Sequence, residues 1–287
     1  MQVFPYDQYP DGGGFLPVTP GTTPHTIIEV DDLDVGVSFI TVWRDDGARW
    51  QEVRGALMAP VAGSWAGVDW ECGFNRVTAY RVEQFDAAGL SLGFLPAVTV
   101  TLTSAETWVQ NVMAPRAGTH VMWTDSALRD IDRPTDSEVV WARGATYGTA
   151  VGSARRGIVG VNLEMVTDTL EQADKVQALL GSPGNELPPV LCVRKGAGEG
   201  FARIPATLFV HVGSIVEVDF TVRFGGENVV HQTSGTEVRP PAKKLGTPLL
   251  TLADLDAFYA TLGAIDADNL TLGDIDRRWD LAGYANV

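Results

Sequence analysis

The clearest pattern of hydrophobic and polar positions lies between about Glu138 and Arg239. Apolar and polar side chains alternate over residues 158–166, which is the two-residue period of a half-buried strand. From Thr167 to Leu180 the period changes to that of an amphipathic helix, and Gly181 is expected to end it in the left-handed conformation. The side chains predicted to face the core are Leu170, Ala173, Val176 and Leu180.

Strand patterns resume after this helix. Residues 190–193 and 207–212 are rich in β-branched and apolar side chains, and a strict alternation runs over ten residues from Ile215 to Phe224. At the start of the helix, Asp168 and Glu171 have the spacing of a capping box. We therefore predict a β-sandwich with one packed helix over residues 138–240.

The first third of the chain has the pattern of an all-β unit. The runs with strand character are residues 26–30, 37–44, 49–53, 77–85 and 98–102. Residues 45–47 and 86–89 separate pairs of these runs and have the composition of hairpin turns. This spacing predicts a small β-sandwich over residues 25–105, loosely similar to immunoglobulin and fibronectin type III modules, with Trp43 and Tyr80 in its core.

Three segments lack the pattern of an independent domain. Residues 1–24 are rich in Pro and Gly and are predicted to form an extended segment, either a free tail or an arm that clasps a neighbour, and its aromatic residues favour the arm. Residues 106–137 are predicted to be a linker. Residues 241–287 are expected to form a short helical tail, with a helix over about Leu252–Leu262, that is too small to bury a core of its own. The fold class expected for the whole chain is therefore mainly β.

Composition and charge exclude some partners. The chain has 287 residues, of which 45% are hydrophobic, so two or three domains with real cores are expected. The formal net charge is −15, and residues 1–105 alone carry five Arg against thirteen acidic residues. Because no basic stripe exists to neutralise phosphates, the sequence argues against nucleic-acid readout.

Cysteine content and hydropathy suggest the compartment. Cys72 and Cys192 lie far apart in the sequence and are predicted to be buried free thiols in different domains. The first residues lack the basic and apolar regions of a signal peptide, and no apolar run is long enough to span a membrane. We therefore expect a soluble protein that is made in the cytoplasm.

The patterns that carry metal or phosphate chemistry are missing. The histidines are isolated, and the acidic clusters at residues 31–34 and 266–269 lack the ligand order of a calcium loop. Residues 195–200 contain three glycines, but their spacing and their strand-like flanks indicate a hairpin loop and not a nucleotide loop. No metal, cofactor or catalytic residue is therefore assigned. No GxSxG motif is present either, although a pair of carboxylates suited to glycoside hydrolysis could be chosen from 36 acids.

Residues 155–180, 189–194 and 236–241 resemble minor tail proteins of long-tailed phages that infect actinobacteria. The C-terminal stretches 248–255 and 276–284 are similar to the same group. The order of elements in residues 138–240 also resembles the tail-tube-like β-sandwich of distal tail proteins and tail-tip hubs. The resemblance implies a structural virion protein without enzymatic activity, located in the phage tail.

In such a family the chain is expected to join copies of itself in a ring, six in number or three if it forms the tip, between the tail tube protein and other tail-tip or baseplate proteins. Two alternatives stay open. One is a tail-associated hydrolase of cell-wall glycan. The other is carbohydrate adhesion by the N-terminal sandwich, for which the candidate residues are Trp50, Trp65 and Trp70.

Overall fold

The computed structural model describes residues 1–8, 10–11, 14–15, 21–45, 47, 49–182, 185–198, 203–242, 250–269, 271, 275, 278 and 281. The strands of the first part of the chain are β1 Gln2–Pro5, β2 Pro10–Asp11, β3 Gly14–Phe15, β4 Thr26–Val30, β5 Phe39–Asp45, β6 Trp50–Glu52, β7 Ala59–Pro60, β8 Trp65–Asp69, β9 Val77–Phe85, β10 Ser91–Phe94 and β11 Val98–Thr101. Those of the second part are β12 Thr107–Asn111, β13 Thr119–Trp123, β14 Thr135–Val140, β15 Thr149–Arg155, β16 Val161–Asn162, β17 Met165–Thr167, β18 Gly181–Ser182, β19 Asn185–Glu186, β20 Val190–Arg194, β21 Thr207–Val212, β22 Val216–Asp219, β23 Val229–Gln232 and β24 Ser234–Glu237. The helices are α1 Leu170–Ala178, α2 Leu252–Phe258 and α3 Leu262–Asp268, with single 3-10 turns at Tyr6–Gln8, Pro115–Ala117 and Val222–Phe224.

The N-terminal part is a β-sandwich, as the spacing of its strand-like runs predicts. One sheet has the order β1-β4-β8, and the other has the order β10-β9-β5-β6, with β11 also on β9 and β7 also on β5. Ile28 of the first sheet packs with Ile40 and Tyr80 of the second in one buried cluster. Trp43 instead lies on the outer side of its strand and is only half buried, so its assignment to the core is wrong.

The prediction of an extended N-terminal arm is wrong for its first residues. Strand β1 pairs antiparallel with β4, with Val3 opposite Ile28. Val3 is buried in the sandwich core, and Phe4 packs on the opposite face against Ile27. The side chains of Val3 and Phe4 are therefore covered by their own chain, whereas Tyr9 and the side chain of Phe15 lie outside the described residues.

The second part is built on a nine-stranded antiparallel sheet of order β16-β24-β21-β20-β12-β13-β17-β23-β22. The sheet curls around a single core, to which α1 also contributes. The buried side chains of this core are Val109, Val121, Leu128, Ile158, Val161, Leu163, Met165, Val176, Leu179, Leu191, Val193, Ile204, Leu208, Val210 and Val212. These two parts confirm the mainly β fold.

The interpretation of residues 106–137 as a linker is wrong for two segments, because β12 and β13 lie in the middle of the nine-stranded sheet. All five residues of β12 are buried, including Gln110 and Asn111. A strand buried on both faces shows no alternation of hydrophobic and polar positions. The pattern that identified the other strands is therefore absent here.

Two long alternations are divided in the structure. Residues 158–166 give β16, which pairs with β24, and β17, which pairs with β13 and β23. The chain therefore turns between two regions of the sheet at Leu163. The alternation after Ile215 gives only the four residues of β22, followed by a 3-10 turn. All four residues of β22 are exposed, so neither face of this strand meets the core.

Helix α1 confirms most of its predicted pattern. Ala173 and Val176 are buried, and Gly181 has a φ of 86°, the left-handed conformation expected after the helix. The third deeply buried side chain is Leu179, whereas Leu170 is 45% exposed and Leu180 only partly buried. The cap is also shifted by one residue from the predicted Asp168, because the N-cap is Thr169, whose hydroxyl accepts from the Gln172 N–H.

The C-terminal tail forms two short helices with a small cluster of their own. Leu255, Tyr259 and Leu281 are buried together, so the expectation that this segment cannot bury any core is wrong. Thr251 and Asp254 form a capping box at the start of α2. The predicted helix over 252–262 ends at Phe258, and Leu262 begins α3 instead.

We predict that Val176→Asp destabilises the protein strongly and that Lys175→Asp does not. Val176 has no exposed surface, so the variant places an unpaired charge in the core at a cost of about 4 kcal/mol. Lys175 lies on the solvent side and forms an ion pair with Glu171 at 2.9 Å. An exposed ion pair of this kind contributes little to the free energy of unfolding. Denaturant unfolding tests this, and equal midpoints for the two variants would show that α1 packs through another face.

Candidate functional site

The segment from Asp69 to Phe74, which follows β8, joins the two parts of the structure. The Arg44 guanidinium donates to both Asp69 oxygens at 2.6 and 2.5 Å, and the Tyr80 hydroxyl donates to Asp69 at 2.8 Å. Burial alone would raise the pKa of the Asp69 carboxyl, but the charge of Arg44 and these hydrogen bonds hold that pKa below its usual range. Asp69 therefore stays ionised inside the protein.

The same segment contacts the nine-stranded sheet through buried polar groups. Arg194 of β20 is fully buried and donates to Gln110 Oε1 at 2.7 Å and to the Cys72 carbonyl at 3.4 Å. Its guanidinium lies 4.5 Å from the centre of the Phe74 ring. Gln110 in turn donates to the Trp70 carbonyl at 2.8 Å. Burial lowers the pKa of Arg194, because removal from water disfavours the charged guanidinium.

A second buried ion pair connects this segment to the chain after the sheet. Arg54 donates from Nε to Glu71 at 2.7 Å. The other nitrogens of its guanidinium donate to the carbonyls of Pro241 and Ala242 at 3.1 and 3.0 Å. Arg54 thus binds the segment that follows β24 to the N-terminal part. We call the buried contacts of residues 69–74 with Arg44, Arg54, Gln110 and Arg194 the polar seam.

The glycine-rich loop after Lys195 also contacts the chain where the first part of the structure joins the second. The N–H groups of Gly196, Ala197 and Gly198 donate to Thr107 Oγ1, the Ser104 carbonyl and the Ala105 carbonyl, each at 3.0 Å. A phosphate-binding loop needs such N–H groups to be free. Residues 196–198 of the loop therefore have a structural role, whereas Glu199 and Gly200 lie outside the described residues.

The tryptophans considered for carbohydrate adhesion lie in three different environments. Trp70 is only 4% exposed and its ring lies 4.1 Å from that of His25, so the expectation that it is exposed is wrong. Trp65 packs against the sandwich core. Trp50 is at the surface, where the Arg81 guanidinium lies between its ring and that of Phe94, at 4.1 and 4.3 Å.

The N-terminal part covers the outer face of the nine-stranded sheet over β12, β20 and β21 and does not cover the strands on the other side of β12. Trp108 of β12 is buried in the core of the N-terminal sandwich, and Thr207 of β21 bonds to the Glu71 carbonyl. Residues that pair across neighbouring strands lie on the same face of a sheet. On the strands beyond β12, four paired apolar residues therefore form a row on this outer face. The row runs directly across four strands through Met122, Val166, Val230 and Val218.

The residues of this row do not belong to any buried core. Met122 is 46% exposed and Val218 39% exposed. Val166 and Val230 are half buried but do not join the core that contains their neighbour Met165. Beyond the row, at the edge of the sheet, Val216 and Phe220 are also exposed. We call Met122, Val166, Val230 and Val218 with these two edge residues the open face.

A second exposed apolar surface lies on the hairpin formed by β14 and β15. These strands pair only with each other among the described strands. The hairpin exposes large apolar side chains on both of its faces: Val139 lies with Trp141 on one face, and Val140 lies with Val151 on the other. Tyr147 is exposed in the loop between the two strands. Gly148 leaves space for the side chains of Val139 and Trp141, since a Cβ at residue 148 would overlap Val139 and come within 3.0 Å of Trp141. An isolated two-stranded hairpin is at best marginally stable in water.

Neither surface was identified from the sequence. The alternation after Ile215 is the visible signal of the edge of the open face, but it also fits a half-buried strand. For the hairpin, the signal is Arg143-Gly144 between two β-rich runs, and Gly144 has a φ of 83° in the structure. Among the described residues, no three or more His, Cys, Asp or Glu side chains are grouped as a metal site requires.

In comparisons with known proteins, no family model matches this chain, and no curated protein or solved structure matches it. In the described part of the chain, no helix has the length and hydropathy needed to cross a membrane. Cys72 and Cys192 are both buried and form no disulfide, as predicted.

We predict that Asp69→Asn destabilises the protein by about 3–5 kcal/mol, because it leaves Arg44 buried without its counter-charge. The folded pKa of Asp69 is lowered, so the stability it contributes is present above its unfolded pKa and is lost as pH falls through the folded pKa. The difference between wild type and variant should therefore be constant from pH 7 to about 5 and shrink below about pH 4.

The matched control is Asp136→Asn, which removes the exposed ion pair with Arg156 and should change stability little. Chemical denaturation over this pH range measures both variants. Equal effects of the two substitutions would contradict a structural role for the polar seam.

Proposed function

We propose that this chain is a structural protein of the tail tip of a long-tailed phage, where copies of it form a ring. The observation that carries the proposal is the pair of exposed apolar surfaces, the open face and the β14–β15 hairpin. Contiguous apolar patches of this kind mark surfaces that another protein covers. The resemblance of residues 155–180 and of the C-terminal stretches to minor tail proteins supplies the biological setting.

Self-association explains the two surfaces together. The chain enters and leaves the hairpin next to β16, where Val159 bridges Asp132, and the open face lies on β13, β17, β23 and β22. Two different apolar surfaces on one chain suit a head-to-tail contact. Such a contact closes into a ring or continues as a filament.

The charge distribution supports an arrangement with the N-terminal sandwich outside. Residues 1–105 carry most of the acid excess of the chain. Like charges are screened by solvent and ions at the periphery of a ring, whereas around a narrow axis they would repel one another. In this arrangement the second part faces the axis, the tail tube protein and the other tail-tip proteins.

We predict that the purified chain associates with rising concentration to a closed species of six copies, or of three if it forms the tip itself. Sedimentation equilibrium or native mass measurement gives the copy number directly. The same preparation should leave the turbidity of actinobacterial cell walls unchanged. A chain that stays monomeric at all concentrations, or that clears cell walls, would contradict the proposed function.

A further inference from the structure

We propose that the open face binds the β14–β15 hairpin of a second copy of this chain, which rests on the proposed function and identifies its contact. Within one chain the two surfaces do not cover each other, because Trp141 is 63% exposed and Met122 is 46% exposed. Each surface lacks a layer packed on its apolar side chains, and the other surface can supply that layer. A two-stranded hairpin laid on the four strands of the open face completes a sandwich with the usual spacing of about 10 Å.

The apolar content of the two surfaces is complementary. The hairpin offers aromatic rings at Trp141 and Tyr147, which bury much surface at low entropic cost. The open face offers a row of valines and Met122, whose flexible side chain adapts to an incoming ring. Burying a row of this kind is favourable in proportion to the apolar area removed from water.

The charges at the rim also fit. Between residues 139 and 154 of the hairpin, Arg143 is the only charged side chain. On the sheet, Glu164 and Asp168 lie on either side of Val166 in the same alternation, so acidic groups border the row. The basic side chain at the nearby edge, Arg223, is already paired with Asp219 at 3.0 Å. Arg143 therefore meets an acidic rim when the hairpin of a second copy lies on the open face.

Of the two acids, Asp168 is the better counterpart for Arg143. Glu164 accepts hydrogen bonds from Ser126, Thr124 and Gln232, which hold its pKa below the usual range and fix its position. Asp168 is exposed and accepts only a long bond of 3.4 Å from Asn228 through its carboxylate. It can turn toward an incoming guanidinium without breaking a strong contact.

A charge swap tests the contact. Arg143→Glu and Asp168→Arg should each weaken self-association about tenfold or more, because each places like charges in contact. The chain that carries both substitutions should recover most of the wild-type association, since the pair is restored with reversed signs. The matched control is Arg129→Glu, an exposed arginine outside both surfaces, which should associate like the wild type. Sedimentation velocity gives the association constants.

A second pair of variants tests the apolar part of the contact. Val218→Lys places a charge on the open face, and Val77→Lys does the same at an exposed valine of the N-terminal sandwich. Only Val218→Lys should weaken association, and circular dichroism should show that both variants are folded. Wild-type association of Val218→Lys, or no recovery in the double charge variant, would overturn the contact while leaving the ring of the proposed function standing. Failure of the wild type to associate would overturn both.

Discussion

The buried ion pairs of the polar seam are the interaction on which the rest of the structure depends. Asp69 and Glu71, two residues apart, are each neutralised by a buried arginine, Arg44 and Arg54. Desolvating four charges is costly, and a break in either pair would leave an uncompensated charge in the interior. The two pairs hold the segment between them in place, and that segment joins the N-terminal sandwich to the nine-stranded sheet.

This constraint explains the unequal covering of the sheet. The seam draws the N-terminal sandwich over β12, β20 and β21, where Trp108 and Arg194 are buried. Because the sandwich is held there, it cannot also cover β13, β17, β23 and β22. The open face is therefore a consequence of the same contacts that make the two parts one body. A chain with such a rigid frame and one open face is suited to repeated assembly in one geometry.

The sequence predicts well those elements that have one buried and one exposed face. Helix α1 and the long strand β9 belong to this class, and the buried positions of each follow the period of its element. Leu170 and Leu180 show the limit of such a pattern. The helix is short and packs at one end of the sheet, so its contact centres on Ala173, Val176 and Leu179 and leaves Leu170 in solvent.

Elements outside this class could not be predicted by the same reasoning. Strand β12 is buried on both faces, and Gln110 and Asn111 are buried because tertiary partners satisfy their side chains. Strand β22 alternates like a half-buried strand but is exposed on both faces within one chain. The seam joins residues more than a hundred positions apart, such as Cys72 and Arg194, and no local pattern encodes a contact of that kind.

The most direct test of the account is an electron cryo-microscopy map of the proposed ring, assembled from the purified chain or within a phage tail tip. Side chains of the open face should lie under the 135–156 hairpin of a neighbouring copy, with residues 1–105 at the periphery. Every copy should show the polar seam with Arg194 buried against Phe74. An assembled particle in which Val166 and Val230 face solvent, or in which residues 1–105 line the channel, would contradict the account.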